Sequence, residues 1–280
     1  MTVAGRLQAT GDALTVTERR IADVVLATPQ VVAFGTVAEV ASAAEAGTAT
    51  VVRLATKLGY GGFVDLQADV RDEFAHQLMP AAERIRQLGA SEDLAGRHIA
   101  AESGNVTGTL AGLDAATVGS VVGLLADDRR PIGVLSGSAS RGVATQFVHD
   151  LCHLRPGVEL IGGNDVDVLQ TLALAAPNTV IIAVDLRRYD RWLLDALVTA
   201  HRHEFLIVAV SDSVISPLAA DAAHALVVDA VSAGPFDSHV GTLALFNLVV
   251  AEVAVARRSN ATKRLDRLEQ AWSADGALDG

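Results

Sequence analysis

Residues 36–63 read TVAEVASAAEAGTATVVRLATKLGYGGF, and the fold of the N-terminal part of the chain turns on this stretch. Thr36 followed three residues on by Glu39 is a capping box, which satisfies two orphan backbone amides at a helix start. Val37, Val40 and Ala41 give that helix an apolar side, and Ala46 and Gly47 form a turn. Thr48 or Thr50 starts a second helix, with Val51, Val52, Ala55 and Leu58 facing inward and Gly59 as its stop. Helix, short Gly-containing turn, helix is the helix-turn-helix plan, whose second helix enters the DNA major groove. A helical hairpin in any all-helical domain has the same pattern. The discriminating surface is the outer face of the second helix, where Thr48, Thr50, Arg53 and Lys57 fall largely away from the apolar side. Threonines near a helix start reach phosphates or base edges, Arg53 suits a guanine or a phosphate, and Lys57 suits a phosphate. The same residues would also make an ordinary solvated face.

Length and composition set the outer limits. The 280 residues suffice for two domains with separate cores. Half of the residues are hydrophobic and only 4% are aromatic, so the cores are built mainly from Ala, Val and Leu. A single cysteine, Cys152, excludes an internal disulfide and a cysteine-based metal site. No signal-peptide pattern opens the chain, and the apolar stretch 243–256 is too short to span a bilayer, so a cytoplasmic protein without membrane contact is expected. The net charge of −11 argues against a protein that coats nucleic acid without selectivity, because phosphate contacts need cations. A specific operator binder is compatible with it, since local Arg and Lys residues suffice there.

Taken in order, residues 1–80 predict a small all-helical domain. Residues 1–9 form a short helix. Thr15 and Glu18 make a second capping box, ahead of a helix whose apolar face is Ile21, Val24, Val25 and Leu26 and which Pro29 ends. Val31, Val32 and Phe34 join the core. After the Gly61–Gly62 corner, Phe63, Leu66, Val70, Phe74 and Leu78 recur at helical spacing up to Pro80. Residues 81–123 read as a helical linker and the start of a second domain. Residues 124–256 alternate strands (PIGVL, 158–161, TVIIAV, FLIVAV, 225–228) with helices, including a short one after Ser216, and 257–280 form a final helix and tail. The fold class expected is therefore multidomain: an all-α N-terminal domain, then an α/β domain with a parallel sheet covered by helices on both faces.

Ligands of such sheets sit at the carboxyl ends of the strands, which singles out three loops. Ser136-Gly137-Ser138-Ala139-Ser140 brings small residues and hydroxyls to a helix start, a setting for a phosphate or carboxylate. In DLRRY, Arg187, Arg188 and Tyr189 suit an anion through forked, charge-assisted contacts, or else face solvent or another subunit. In SDSVISP, Ser213 is a third candidate, although Ser216 and Pro217 also serve simply to start a helix. No HExxH group, GxSxG elbow or GxGxxG turn is present, and Cys152, His149 and His153 fall on one helix with a single solvated side. No catalytic residue, metal site or cofactor is expected.

Together the two halves resemble the RpiR/MurR family of bacterial transcription regulators, from about Leu14 to Val255. The run AEVA, turn, TVVRL, LGYGGFVDL is similar to the family's AEIA helix, TVVRF recognition helix and LGYxGFxxL close, with Leu54 where phenylalanine is common. The resemblance implies a helix-turn-helix domain followed by a SIS (sugar isomerase) domain. It places Thr48, Thr50, Val51, Arg53 and Lys57 in or beside the DNA-reading helix, and Ser138 and Ser140 in a phosphosugar loop. SDSVISPLA is similar to the family's TDSxxSPLA segment. One departure stands out: the second ligand loop usually reads like SxSGxT, and this chain has DLRRYDR there. The resemblance implies a regulator of double-stranded operator DNA, acting as a homodimer or tetramer, that senses a small anionic metabolite such as a phosphosugar. The competing function is a SIS-type phosphosugar isomerase, whose general base would be Glu159 or His239. The apolar helix 238–256 is the expected subunit interface.

Overall fold

A computed structural model describes residues 3–10, 14–88, 93–213 and 216–277. The chain divides into two compact units, Met1–Glu92 with Gly234–Phe236, and Asp93–Ala233 with Asp237–Gly280.

The first unit contains α1 (Val3–Thr10), α2 (Val16–Ala27), α3 (Pro29–Phe34), α4 (Val37–Ala43), α5 (Thr48–Lys57), α6 (Phe63–Leu78) and α7 (Ala81–Gln87). Both expected capping boxes form, Thr15 with Glu18 and Thr36 with Glu39. Leu7, Ile21, Val25, Val32, Val40, Val51, Leu54, Leu58, Leu66 and Val70 make one apolar core. Gly59 turns the chain out of α5 at φ +90°, a conformation that strains any residue with a Cβ. Polar side chains close the helix ends: Gln67 donates to the Val32 and Gly35 carbonyls, Arg71 to that of Ala33, and Arg6 to that of Leu58.

Three inward assignments fail. Leu26 is 41% exposed, Phe34 66% and Val52 41%, whereas Leu54 is fully buried. The helical period explains it: a residue adjacent to two core positions lies about 100° off their axis, so Val51 and Leu54 take the inward face and Val52 turns out. Pro29 ends one helix by beginning the next as its first residue. The side chains of Phe74 and Leu78 lie outside the described residues.

The second unit contains α8 (Leu94–Ala111), α9 (Ala115–Ala126), β1 (Ile132–Ser136), α10 (Arg141–Leu154), β2 (Val158–Leu160), α11 (Asp165–Leu174), β3 (Val180–Val184), α12 (Arg191–Arg202), β4 (Leu206–Ser211), β5 (His224–Val227), α13 (Val240–Ala256) and α14 (Arg258–Asp275). Among the described residues the sheet has five strands in the order β2-β1-β3-β4-β5, every neighbouring pair parallel. β1, β3 and β4 are almost continuously apolar because both faces are covered. Val134, Ile182, Val184, Val208 and Val210 pack on one face with Leu125, Phe147, Leu151, Phe246 and Val249. Leu135, Ile181, Ala183, Ile207 and Ala209 pack on the other with Leu172, Leu193 and Leu197. The Phe147 and Phe246 rings stack at 4.2 Å between centroids.

Residues 216–221 form turns rather than the expected short helix. Also, α13 turns Leu245, Phe246, Val249 and Val253 into its own unit's core and leaves Val240, Leu243 and Val255 exposed.

The amino-terminal edge of the sheet is held by two buried arginines. Arg155, fully buried, donates to the carbonyls of Leu125 at 2.6 Å, Pro156 at 2.9 Å and Asp127 at 3.2 Å, and to that of Arg130. Arg257 donates to the Ala126 carbonyl at 2.6 Å and pairs with Asp128 at 2.7 Å. Together they satisfy the carbonyls that end α9 and line the loop into β1. Arg155→Met is expected to destabilise this unit by roughly 2–4 kcal/mol, since several buried carbonyls lose their donors at once. Urea denaturation checks this; an unchanged midpoint would mean that those carbonyls reach solvent.

Candidate functional site

On α5 the exposed face comprises Thr48, Ala49, Val52, Arg53, Thr56 and Lys57, with Thr50 half-buried. The opposite face holds Val51, Leu54, Ala55 and Leu58 in the core and fixes the helix beside α4. Arg53 donates through Nη2 to Thr50 Oγ1 at 3.1 Å, which holds the guanidinium along the helix near its first turn. Lys57 is placed differently from Arg53: its Nζ pairs with Glu18 Oε2 at 2.9 Å. The Thr15 amide and the Lys57 ammonium hold the Glu18 carboxyl down at about 2, so Glu18 is ionised at any physiological pH. Arg53 therefore projects from the face, while Lys57 is committed to a scaffold carboxylate. Val52 and Ala49, which sequence reasoning put inside or passed over, add an apolar component next to Arg53. The one-residue offset from Val51 was the signal that could have found Val52.

The second candidate site lies at the carboxyl ends of β1 and β3. In this strand order the chain leaves the two neighbouring strands toward opposite faces, the position at which such sheets take their ligands. Ser136 is the last residue of β1 rather than a loop residue; it is buried and its Oγ has no hydrogen-bond partner. Gly137 follows, with a Cβ position 2.2 Å from the Asp185 carboxylate, so only glycine fits there. Ser138 is exposed, and its amide N–H and Oγ–H both donate to Asp190 Oδ2, at 2.7 and 2.6 Å. Trp192 Nε1–H approaches the same oxygen at 3.3 Å. Ser140, buried at the start of α10, makes no capping bond to its helix and donates instead to Asp185 Oδ1 at 3.3 Å.

Asp185, at the end of β3, was not among the sequence candidates and sits at the centre of this network. It also accepts from the amides of Leu186 at 3.0 Å and Asp190 at 2.9 Å. Burial, together with the adjacent charge of Asp190, pushes its carboxyl up to about 6 against the pull of those amides. Bonds from Ser138 hold the Asp190 carboxyl below the usual carboxylate value. Of the DLRRY arginines, Arg187 is engaged away from the serine loop. Arg187 makes a forked ion pair with Asp237, at 2.8 and 2.9 Å, and Arg188 is exposed with a left-handed backbone, φ 68°. Tyr189 donates to Asp212 Oδ1 at 2.9 Å, and burial pushes its phenol up to about 12. Ser213 is half-buried beside the segment 214–215, which lies outside the described residues. Thus Gly137, Ser138 and Ser140 come together with Asp185 and Asp190, while Arg187 and Tyr189 are engaged by Asp237 and Asp212.

Elsewhere, Glu159 lies exposed in the middle of edge strand β2, opposite Gly133. His239 is half-buried beside Asp237, with Nδ1 unpartnered and its pKa lowered by burial. His149, Asp150 and His153 bring three potential ligand atoms within 4.8 Å of one another on the exposed side of α10, a proximity that sequence reading did not anticipate. Among the described residues no single helix is long and apolar enough to cross a membrane.

A helix-turn-helix unit joined in one chain to a parallel sheet with polar loops at its carboxyl edge is the plan of a transcriptional regulator. Residues 1–77 match the model of the helix-turn-helix domain of the rpiR family, and residues 126–252 match that of the SIS domain. The chain thus carries a helix-turn-helix domain of the rpiR family followed by a SIS domain. It is similar to the sugar isomerase domain of an RpiR transcription factor from Sphaerobacter thermophilus, at 29% identity and a TM-score of 0.59 over 64% of this chain and 99% of that one. It is also similar to the Vibrio vulnificus NanR protein complexed with ManNAc-6P, at 18% identity and a TM-score of 0.59 over 97% and 98%. A putative sugar-phosphate isomerase from Listeria monocytogenes shares the fold at 15% identity and a TM-score of 0.55 over 64% and 98%. No curated protein matches the chain.

Asp185 gives a pH test of the site. Its pKa rises from 3.8 to about 6 on folding, so the stability it contributes is fully present below pH 3.8 and is lost as pH rises through about 6. The stability difference between wild type and Asp185→Asn should therefore shift by on the order of 2 kcal/mol between about pH 4 and pH 7, with the wild type losing ground. Denaturant titrations at the two pH values check this; a constant difference would place the Asp185 titration outside that window.

Proposed function

We propose that α5 reads operator DNA through Thr48, Thr50 and Arg53, and that the loops after β1, β3 and β4 bind a small anionic metabolite of the phosphosugar class that modulates operator affinity. The observation that carries the DNA half is the exposed face of α5, where Arg53 stands clear of every carboxylate that holds Lys57. Arg53 reaches a guanine edge or a phosphate, Val52 suits a thymine methyl, and the threonines meet backbone phosphates. Lys57 contributes a screened charge at the edge. The acidic net charge is compatible with this role, because two-fold symmetry doubles each local contact in an operator-bound dimer. The ligand half rests on the Ser138 and Ser140 loop at the start of α10, where amides and hydroxyls converge. Glu159, one of the two residues an isomerase reading would need as base, lies on the edge strand rather than in these loops, so the regulator reading is preferred over an enzyme. We further propose that residues 1–80 form the DNA-binding domain, 81–123 a helical connector, 124–256 the effector and dimerisation domain, and 257–280 a terminal helix and tail, in a cytoplasmic homodimer or tetramer.

Arg53→Ala is expected to weaken binding to DNA from upstream of the protein's own gene by about 1–3 kcal/mol while leaving the unfolding midpoint unchanged. Lys57→Ala should lower stability as well as affinity, because it strips the buried Glu18 carboxylate of its ammonium partner. Fluorescence anisotropy with labelled duplex, together with a melt, separates the two. Operator affinity unchanged in Arg53→Ala would remove that residue from the interface.

A further inference from the structure

The Ser138 loop already holds an anion, and it is one supplied by the chain. Asp190 Oδ2 receives the Ser138 amide at 2.7 Å, the Ser138 hydroxyl at 2.6 Å and the Trp192 indole N–H at 3.3 Å. This is the donor set that an oxygen of a phosphate monoester would take at such a loop. Asp190 reaches it from the loop after β3, 52 residues along the chain.

The position of Asp190 makes this arrangement unexpected on local grounds. It is the N-cap residue of α12, where an aspartate ordinarily accepts from its own helix amides, yet it makes no capping bond. The first turn of α12 thus offers the same carboxylate a second set of donors, which it does not use. Ser140 repeats the pattern, leaving the start of α10 without a side-chain cap by donating to Asp185. Ser136, buried at the strand end from which the loop departs, keeps an Oγ without a partner. The donors on the loop outnumber what the helices use, and a carboxylate fills the surplus.

We propose that Asp190 is a tethered competitor for the phosphate of the ligand: it seats on Ser138 in the unliganded protein, and a phosphosugar binds only by driving its carboxylate off the loop. Asp190 thereby sets the selectivity of the site, holding affinity for phosphate low. A phosphate dianion and Asp190 cannot share Ser138, because each needs the same two donors and like charges at that separation repel. Displacement returns Asp190 to the start of α12, where the helix dipole favours it. The proposal rests on the reading of these loops as a phosphosugar site.

The test is calorimetric titration of the full chain and of Asp190→Ala with inorganic phosphate and with glucose 6-phosphate. Asp190→Ala is expected to bind both at least ten-fold more tightly than wild type, and Asp190→Asn, which keeps the shape and loses the charge, should fall between them. Ser138→Ala in the Asp190→Ala background should remove the gain. Equal affinity in wild type and both variants, weaker binding in the variants, or no phosphate binding by any of them would overturn the proposal. Asp190→Asn keeps the test interpretable if the alanine variant folds poorly. Operator binding measured on the same samples separates this proposal from the functional reading. If a sugar phosphate shifts DNA affinity equally in all of them, the effector class stands and the role of Asp190 falls. If the variants gain phosphate affinity but no sugar phosphate moves DNA binding, the role of Asp190 stands and the effector class falls.

Discussion

A parallel sheet that is dry on both faces leaves its polar chemistry to the ends of the strands, and the second unit is arranged around that constraint. β1, β3 and β4 carry no polar side chain in their interiors, so hydrogen-bonding capacity collects where they stop. At the amino ends, Arg155 and Arg257 spend it on backbone carbonyls and lock the loop into β1. At the carboxyl ends it goes to Asp185, which ties the β1 loop to the β3 loop by accepting from Ser140, Leu186 and Asp190. Gly137 permits that approach and no larger residue would. One edge is structural, its backbone carbonyls held by two arginines. The other is held together by carboxylates that respond to charge.

The first unit solves a different problem with small parts. Its helices are short, and isolated helices of such length are marginal in water. Capping boxes at α2 and α4 and side-chain donors from α1 and α6 satisfy the many helix ends. One core of Val, Ile and Leu then leaves a single face of α5 free. Glu18 illustrates the economy: the same carboxylate closes the α2 capping box and holds Lys57.

Much of this was legible in the sequence. Capping boxes, Gly stops and apolar strands are local signals, and both the helix-turn-helix and the parallel sheet followed from them. The failures share a cause. Val52, Leu26 and Phe34 are hydrophobic residues adjacent to core positions, and composition alone cannot say which of two neighbours turns inward. Lys57 and Arg187 looked like available cations, but their carboxylate partners lie 39 and 50 residues away in sequence, beyond any local pattern. Asp185 and Asp190 were passed over for the same reason: an aspartate at a strand end or a helix start reads as ordinary, and only the fold brings both to the serine loop. The departure of DLRRYDR from a serine-rich loop was visible. Its consequence was not visible, because the residues in it that bond to the serine loop are the two aspartates.

The two halves make one regulator only if occupancy of the loops after β1, β3 and β4 alters DNA binding, and such coupling is typically worth about 1–3 kcal/mol, or roughly 5- to 150-fold in affinity. The direct measurement is the affinity of the full chain for DNA upstream of its own gene, by fluorescence anisotropy, with and without each sugar phosphate that raises its melting temperature. The account predicts a shift within that range for at least one such compound, saturating at the concentration that saturates the melting shift. DNA affinity unchanged under saturating concentrations of every stabilising compound would contradict it.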